Sequence, residues 1–217
     1  MNYQEVQQKQ CGRWNDIFGN KDRVKMNLVS NQTKKFKQMN TLFNNQFYFH
    51  FKAPNADELI AFLDEKNNID DNVHWANNCV VDIVQLESSP EVIDLISPSL
   101  QKLAEELKFD GRFFILHPWI SIYNEHSYQE IHEHKDCDMS AVFFLNEGDD
   151  FAKFYFTDRF SCSLTSSTRQ VLNYYDTQTP LVSAGDIIFF PSALYHGVAP
   201  HKSKQVRKTM SFNFNFE

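Results

Sequence analysis

Cysteine is scarce in this sequence, and its few copies lie far apart. The 217 residues contain four cysteines, namely Cys11, Cys79, Cys137 and Cys162, and no CxxC pair occurs among them. This spacing indicates neither a disulfide framework nor a zinc ribbon as the basis of the fold. The thiols fit the reducing environment of a cytosol.

Long apolar runs are also missing. No stretch of about 18 apolar residues occurs, and the N-terminal segment MNYQEVQQKQ lacks the apolar core of a secretory signal. We therefore expect a soluble, cytoplasmic protein without a membrane partner.

Positive charge is in deficit, because 21 Lys and Arg stand against 28 Asp and Glu, for a formal net charge of −7. Sequence-independent binding to a nucleic-acid backbone depends on clustered Lys and Arg and is therefore disfavoured. What the chain has in quantity is hydrophobic residues (42%) and aromatic residues (15%), including 21 Phe. This composition predicts a globular protein with one main domain that is rich in strand.

The first 45 residues differ in character from the rest. They are polar, amide-rich and locally basic. Their basic residues are Lys9, Arg13, Lys21, Arg23, Lys25, Lys34, Lys35 and Lys37. The pattern predicts an N-terminal arm over 1–45, either a solvated extension or a surface for an anionic partner or a lid, followed by a domain over 46–217.

The first part of this domain has the apolar spacing of helices. Apolar residues recur every three or four positions after Pro54 and again between Ser88 and Lys108. Pro98 is expected to bend or interrupt the second helix. Helical support is thus predicted over about 56–108.

The second part, over about 112–217, alternates aromatic runs with turn residues. This pattern predicts seven or eight strands and no further helix. Helices followed by an antiparallel strand-rich half indicate an α+β, mainly β fold. The predicted architecture is a double-stranded β-helix, a jelly roll or cupin-like barrel, with the N-terminal helices packed on one sheet.

The last predicted strand has one polar and one largely apolar face. Its polar residues alternate along the strand: Arg207, Thr209, Ser211, Asn213 and Asn215. Successive side chains of a strand point to opposite sides, so these five share a face. That face lies either in water or inside a barrel that holds a charged ligand.

Two histidines, His132 and His134, stand two positions apart in QEIHEHKDCD. In an extended stretch both imidazoles project from one face and can share a metal ion. His196 follows in FFPSALYHG, and a barrel can bring its strand next to the first pair. Non-heme iron sites commonly use two histidines and one carboxylate, and they leave positions open for substrate and oxygen.

Two ligand sets are compatible with these residues. The first is His132, His134 and His196, in which case the segment KDCD forms a hairpin turn into the strand SAVFFLN. The second is His134, Asp136 and His196, with the carboxylate inside that turn. We favour the first set and keep Asp136 as the alternative ligand.

With these residues in order, the chain from about Phe113 to Phe216 resembles the Fe(II)- and 2-oxoglutarate-dependent dioxygenases. It is most similar to the small bacterial and phage-type oxygenases that carry HxH where many relatives carry HxD. The matching segments are WISIYNEHSYQEIHEH, MSAVFFLN, FAKFYFTDR, SAGDIIFFPSALYHGVAPH and VRKTMSFNF. In the prolyl-hydroxylase-like branch a tyrosine stands nine residues before the first ligand histidine, as Tyr123 stands before His132. This register puts His134 in the carboxylate position.

The resemblance implies both the cofactors and the reaction. Fe(II) would be held by the histidines, and 2-oxoglutarate would chelate it while its far carboxylate meets Arg207, with hydroxyl hydrogen bonds from Thr209 and Tyr123. The implied reaction uses O2 and converts 2-oxoglutarate to succinate and CO2 while a second substrate is hydroxylated. We expect that substrate to be a peptidyl residue or a small metabolite rather than nucleic acid.

An HxH followed by Asp138 is also typical of cupins. A cupin-like metal-binding protein or metalloenzyme that does not use 2-oxoglutarate is therefore the alternative. Arg207 favours the oxygenase, because a simple cupin has no need of a carboxylate anchor there.

Overall fold

The computed structural model describes residues 46–65, 79–134, 136–159 and 164–217. The predicted arm over 1–45 lies outside the described residues, so the arm and its boundary stay predictions. The elements in chain order are β1 Phe49–Lys52, α1 Ala56–Glu65, β2 Asp82–Gln85, α2 Pro90–Leu107, β3 Phe113–Tyr123, β4 Gln129–His132, β5 Met139–Phe144, β6 Phe154–Thr157, α3 Ser166–Leu172, β7 Thr177–Gln178, β8 Asp186–Pro191, β9 His196–Val198 and β10 Arg207–Phe216.

The strands form two antiparallel sheets. The larger has the order β1-β8-β5-β10-β3-β2 and the smaller the order β4-β9-β6-β7. Strands that are neighbours in space are mostly distant in sequence, as expected for a double-stranded β-helix. The predicted fold class is confirmed, with eight strands after residue 112.

Alternate residues of the larger sheet belong to two separate cores. On one face, Phe189 and Phe212 pack with apolar residues of α1 and α2, among them Leu63 and Leu103. On the other face, Ile188 and Phe190 pack with residues of the smaller sheet. The helices therefore cover the outside of the larger sheet, as predicted, and leave its inner face to a cavity between the sheets.

Helix α2 is continuous through Pro98, so Pro98 does not interrupt it, and a bend at this position stays a prediction. A proline removes one backbone hydrogen bond, here to the carbonyl of Asp94, which is exposed and can bind water instead. The buried stripe continues on both sides of the proline through Val92, Ile96, Leu100 and Leu103. Packing of this stripe outweighs the loss of one solvent-side hydrogen bond.

Two further expectations for the strand-rich half were wrong. Helix α3 was missed because it has seven residues and buries none of them, so no apolar periodicity marks it. The segment after His134 is not a hairpin turn, because β4 pairs with β9 whereas β5 pairs with β8 and β10. The chain instead crosses there from the smaller sheet to the larger one.

Within the part of the chain that the structure describes, no helix combines the length and the apolar character needed to cross a bilayer.

Replacing Phe189 by alanine is expected to lower the free energy of unfolding by about 3–5 kcal/mol, because the ring is fully buried and the mutation leaves a cavity. The measurement is urea unfolding followed by circular dichroism. Phe114, which is 53% exposed, is the control, and its alanine variant should stay within about 0.5 kcal/mol of the wild type. Equal losses in the two variants would contradict the proposed helix-side core.

Candidate metal and co-substrate site

Three histidines meet at one end of the cavity between the sheets. His132 ends β4 and lies directly opposite His196, the first residue of β9. His134 follows β4 in an irregular segment that is fixed by a 2.8 Å hydrogen bond from its backbone N–H to the carbonyl of Ser192. Sheet pairing positions two of the rings, and a crossing loop positions the third.

The three rings are close enough to share one metal ion. Ring centroids are 4.3 Å apart for His132 and His196, 5.3 Å for His132 and His134, and 5.1 Å for His134 and His196. One nitrogen from each ring lies within 4.8 Å of the corresponding nitrogens of the other two. Imidazole nitrogens in this arrangement suit Fe(II), Zn(II) and other divalent first-row metals.

Hydrogen bonds to oxygen acceptors fix the orientation of each ring. Nδ1 of His132 lies 2.7 Å from the carbonyl oxygen of Glu130, and Nδ1 of His196 lies 2.8 Å from that of Leu194. A carbonyl oxygen can only accept, so each Nδ1 carries the proton and donates it. Nε2 then carries the lone pair, which is the form that binds a metal.

Electrostatics keeps these rings neutral. Burial lowers the pKa of His132 and of His134. Burial also lowers the pKa of His196 to well below its ordinary value, and the nearby rings of His132 and His134 lower it further. A neutral imidazole is the metal-binding form, so no proton has to be displaced near neutral pH.

Asp136 stands apart from this group. Its side chain is exposed, and the ligand group found among the described residues consists of the three histidines alone. The structure therefore brings together the first of the two candidate ligand sets and not the second. A site of three neutral imidazoles carries one negative charge fewer than a site with two histidines and a carboxylate.

Arg207 lies at the floor of the same cavity. It begins β10 opposite Tyr123 and is only 3% exposed, with its guanidinium carbon 4.6 Å from the centre of the Tyr123 ring and 5.6 Å from that of Phe144. Its Nη1 is buried and has no hydrogen-bond partner among the described residues. A buried guanidinium nitrogen without a partner is costly, and an anionic group is the kind of partner that would satisfy it.

Tyr123 and Thr209 flank this guanidinium. The Tyr123 hydroxyl donates to Oε1 of Gln129 over 2.8 Å, and burial raises its pKa, so it remains a neutral phenol. Burial lowers the pKa of Arg207, which the neighbouring Tyr123 partly offsets. Thr209 is 2% exposed and lies two positions along the same strand face. Both hydroxyls can donate hydrogen bonds to a carboxylate that pairs with Arg207.

All six predicted site residues line one cavity of about 350 Å³, namely His132, His134, His196, Arg207, Thr209 and Tyr123. Arg207 is the only formally charged side chain among the described residues that line it. The cavity thus combines a metal-ligand group at one end with a single buried cation at the other.

Sequence reasoning missed a hydrogen-bonded group beside His134. Nδ1 of His134 lies 2.8 Å from Oδ1 of Asn213 and 3.0 Å from Oγ of Ser140. Ser140 also contacts Ser192 at 2.7 Å. The alternating polar face of β10 was the available signal for Asn213, whereas nothing in the sequence linked it to His134.

A family model described as "Putative 2OG-Fe(II) oxygenase" matches residues 117–213, which confirms the resemblance found in the sequence. None of the curated proteins matches the chain significantly.

Solved structures of similar fold were found at low sequence identity. An oxidoreductase of the 2OG-Fe(II) oxygenase family from Burkholderia pseudomallei is 12% identical, with a TM-score of 0.58 over 77% of this chain and 84% of that one. HygX from Streptomyces hygroscopicus, crystallised with nickel and 2-oxoglutarate, is 12% identical, with a TM-score of 0.58 over 79% and 83%. A Pseudomonas putida prolyl-4-hydroxylase is 16% identical, with a TM-score of 0.55 over 78% and 92%. At these identities the likeness establishes the fold.

Proposed function

We propose that this chain is a 2OG-Fe(II) oxygenase, the family whose model matches residues 117–213, and that it couples conversion of 2-oxoglutarate to succinate and CO2 with hydroxylation of a second substrate. The observation that carries the proposal is that one cavity contains both the three-histidine group and a buried arginine with an unpaired Nη1. The acidic net charge of −7 favours a peptidyl residue or a small metabolite over nucleic acid as the second substrate.

The residues at the histidine end fit Fe(II). Three neutral imidazoles on two paired strands and a crossing loop would hold the ion. Bound Fe(II) would supply the centre at which O2 and 2-oxoglutarate react. We assign His132, His134 and His196 as its ligands and His132 and His196 as the pair that the sheet holds most rigidly.

The residues at the opposite end fit 2-oxoglutarate. A carboxylate paired with Arg207 would receive a charge-assisted, bidentate hydrogen bond from a planar guanidinium. Thr209 and Tyr123 would donate hydroxyl hydrogen bonds to the same group. This anchoring orients the co-substrate so that its other end points towards the histidines, and it satisfies the orphaned Nη1.

Aromatic residues limit water around the histidines. The rings of Phe154 and Phe190 have centroids 5.6 Å and 4.8 Å from that of His196, and both side chains are buried. An apolar wall that excludes water on this side strengthens the electrostatic interactions inside the cavity. It also keeps solvent from competing for open ligand positions.

Anaerobic addition of Fe(II) and 2-oxoglutarate to the purified protein is expected to produce a visible absorption band, because an α-keto acid that chelates Fe(II) gives a charge-transfer transition. Glutarate is the matched control, since it has both carboxylates but lacks the keto group and should give no band. Succinate formation after admission of air is the second measurement.

The alternative function gives a different result in the same experiment. A cupin-like protein that does not use 2-oxoglutarate would bind the metal but show neither the band nor succinate release. Folded protein that gives neither signal would contradict the proposed oxygenase.

A further inference from the structure

His134 differs from the other two rings of the site in the kind of hydrogen-bond partner at its Nδ1 atom. The Nδ1 atoms of His132 and His196 face backbone carbonyl oxygens, which can only accept a hydrogen bond and which a side-chain mutation does not remove. The Nδ1 atom of His134 instead faces two side chains, Oδ1 of Asn213 at 2.8 Å and Oγ of Ser140 at 3.0 Å. The tautomer of the His134 ring therefore depends on two side chains that a mutation can replace.

The carbonyl of Asn213 decides that tautomer. A serine hydroxyl can donate or accept, so Ser140 alone would allow either form of His134. Ser140 also donates to Asn213 Oδ1 over 2.8 Å and contacts Ser192 Oγ at 2.7 Å, so its proton is directed away from the ring. With an acceptor-only oxygen at 2.8 Å, Nδ1 of His134 must carry the proton.

The same strand also holds the loop in which His134 lies. Oδ1 of Asn215 accepts from the backbone N–H of Asp138 at 2.9 Å, and the Asp138 carboxylate accepts from the N–H of Phe216 at 3.0 Å. Ser140 and Ser192 are 2% and 0% exposed, so water does not compete for the hydrogen bonds around them. The two serines of the group beside His134 are thus buried, and Asn213 is partly buried.

We propose that Asn213 is a positioning residue that fixes His134 as the Nδ1-protonated tautomer and so directs its Nε2 lone pair into the site. This inference rests on the proposed function in that His134 is taken as a metal ligand. A carboxylate ligand has no tautomer to fix, whereas a histidine ligand has one. The histidine needs a partner of this kind, because the opposite tautomer would direct an N–H at the metal.

The tautomer can be read directly in the metal-free protein. Long-range ¹H–¹⁵N correlation spectra of histidine-labelled protein distinguish a protonated ring nitrogen from one with a lone pair. Wild type should show His134 protonated at Nδ1. Asn213→Asp should keep this state, because both carboxylate oxygens accept, whereas Asn213→Ala should populate both tautomers. An unchanged spectrum in Asn213→Ala, or a switched tautomer in Asn213→Asp, would overturn the proposal.

Metal affinity provides the second readout. Asn213→Ala is expected to weaken Co(II) binding by about 10–100-fold, and Asn213→Asp should bind at least as tightly as wild type. Asn215→Ala is the matched control, because it removes an amide oxygen from the same strand face while Asp138 keeps its hydrogen bond to Phe216. A loss of affinity in Asn215→Ala equal to that in Asn213→Ala would reduce Asn213 to a general structural role and overturn the proposal.

The two readouts separate this inference from the proposed function. A tautomer shift in Asn213→Ala without any change in Co(II) affinity would overturn the assignment of His134 as a ligand that Asn213 positions. Wild-type protein that binds Co(II) but never turns over 2-oxoglutarate would contradict the oxygenase function, whereas the spectra and affinities of the Asn213 variants would still support the positioning role.

Discussion

Replacing His134 by alanine is expected to abolish the visible band of the anaerobic Fe(II) and 2-oxoglutarate complex and to weaken metal binding by about 100-fold or more. The physical reason is that two imidazoles alone leave the metal with too few protein ligands to compete with water. His134 is partly buried and lies about equally far from both other rings, at 5.3 Å and 5.1 Å. Among the described residues, the ligand group contains only the three histidines, so no fourth ligand stands ready to take the place of His134.

Asp136→Ala is the matched control for this experiment. Asp136 lies two residues after His134 and is exposed, so its removal should leave the band, the metal affinity and the free energy of unfolding close to those of wild type. Loss of the band in Asp136→Ala would show that the carboxylate is a ligand, as the second set requires. Asp136→Ala thus decides between the two ligand sets, because His134 belongs to both of them.

Replacing Arg207 by glutamine is expected to raise the KM for 2-oxoglutarate by about 30-fold or more, since removal of one partner of a buried charge pair costs about 2–5 kcal/mol. Glutamine keeps a polar group beside Tyr123 but loses both the charge and the planar fork. Arg207→Lys keeps the charge alone and should fall between glutamine and wild type. Succinate release at varied 2-oxoglutarate concentrations measures the effect.

Metal binding is the control for the Arg207 variants. The guanidinium lies at the floor of the cavity and not in the histidine group, so Co(II) affinity should stay near that of wild type. Circular dichroism checks that the buried position still packs between Tyr123 and Phe144. Unchanged apparent affinity for 2-oxoglutarate in a folded variant would remove Arg207 from the co-substrate site.

Local pattern was enough to predict most of the fold. The apolar stripe of α2 and the alternating faces of β10 are periodicities that survive in the structure, because they record which side chains must leave water. The pattern gave no sign of α3, which buries nothing. It also did not reveal that α2 continues through Pro98, since the strength of packing on the buried side of α2 is not visible in a local window.

The candidate site was predictable only as a set of residue types. The sequence alone determined that His132, His134, His196 and Arg207 occur in an order and spacing similar to those of a known oxygenase family. It left open whether His132 or Asp136 joins His134 and His196, because each lies two positions from His134 and either can reach a metal from an extended segment.

Tertiary structure decided what local spacing could not. The crossing of the chain between the two sheets after β4 exposes Asp136 and places His134 against Asn213, a residue 79 positions away in sequence. Hydrogen bonds between such distant residues depend on which strands pair and in which register, and those choices are set by the packing of the whole barrel. The sequence thus determined which metal-binding and carboxylate-binding side chains are present. The fold decided which of them meet and which hydrogen-bond acceptor faces His134.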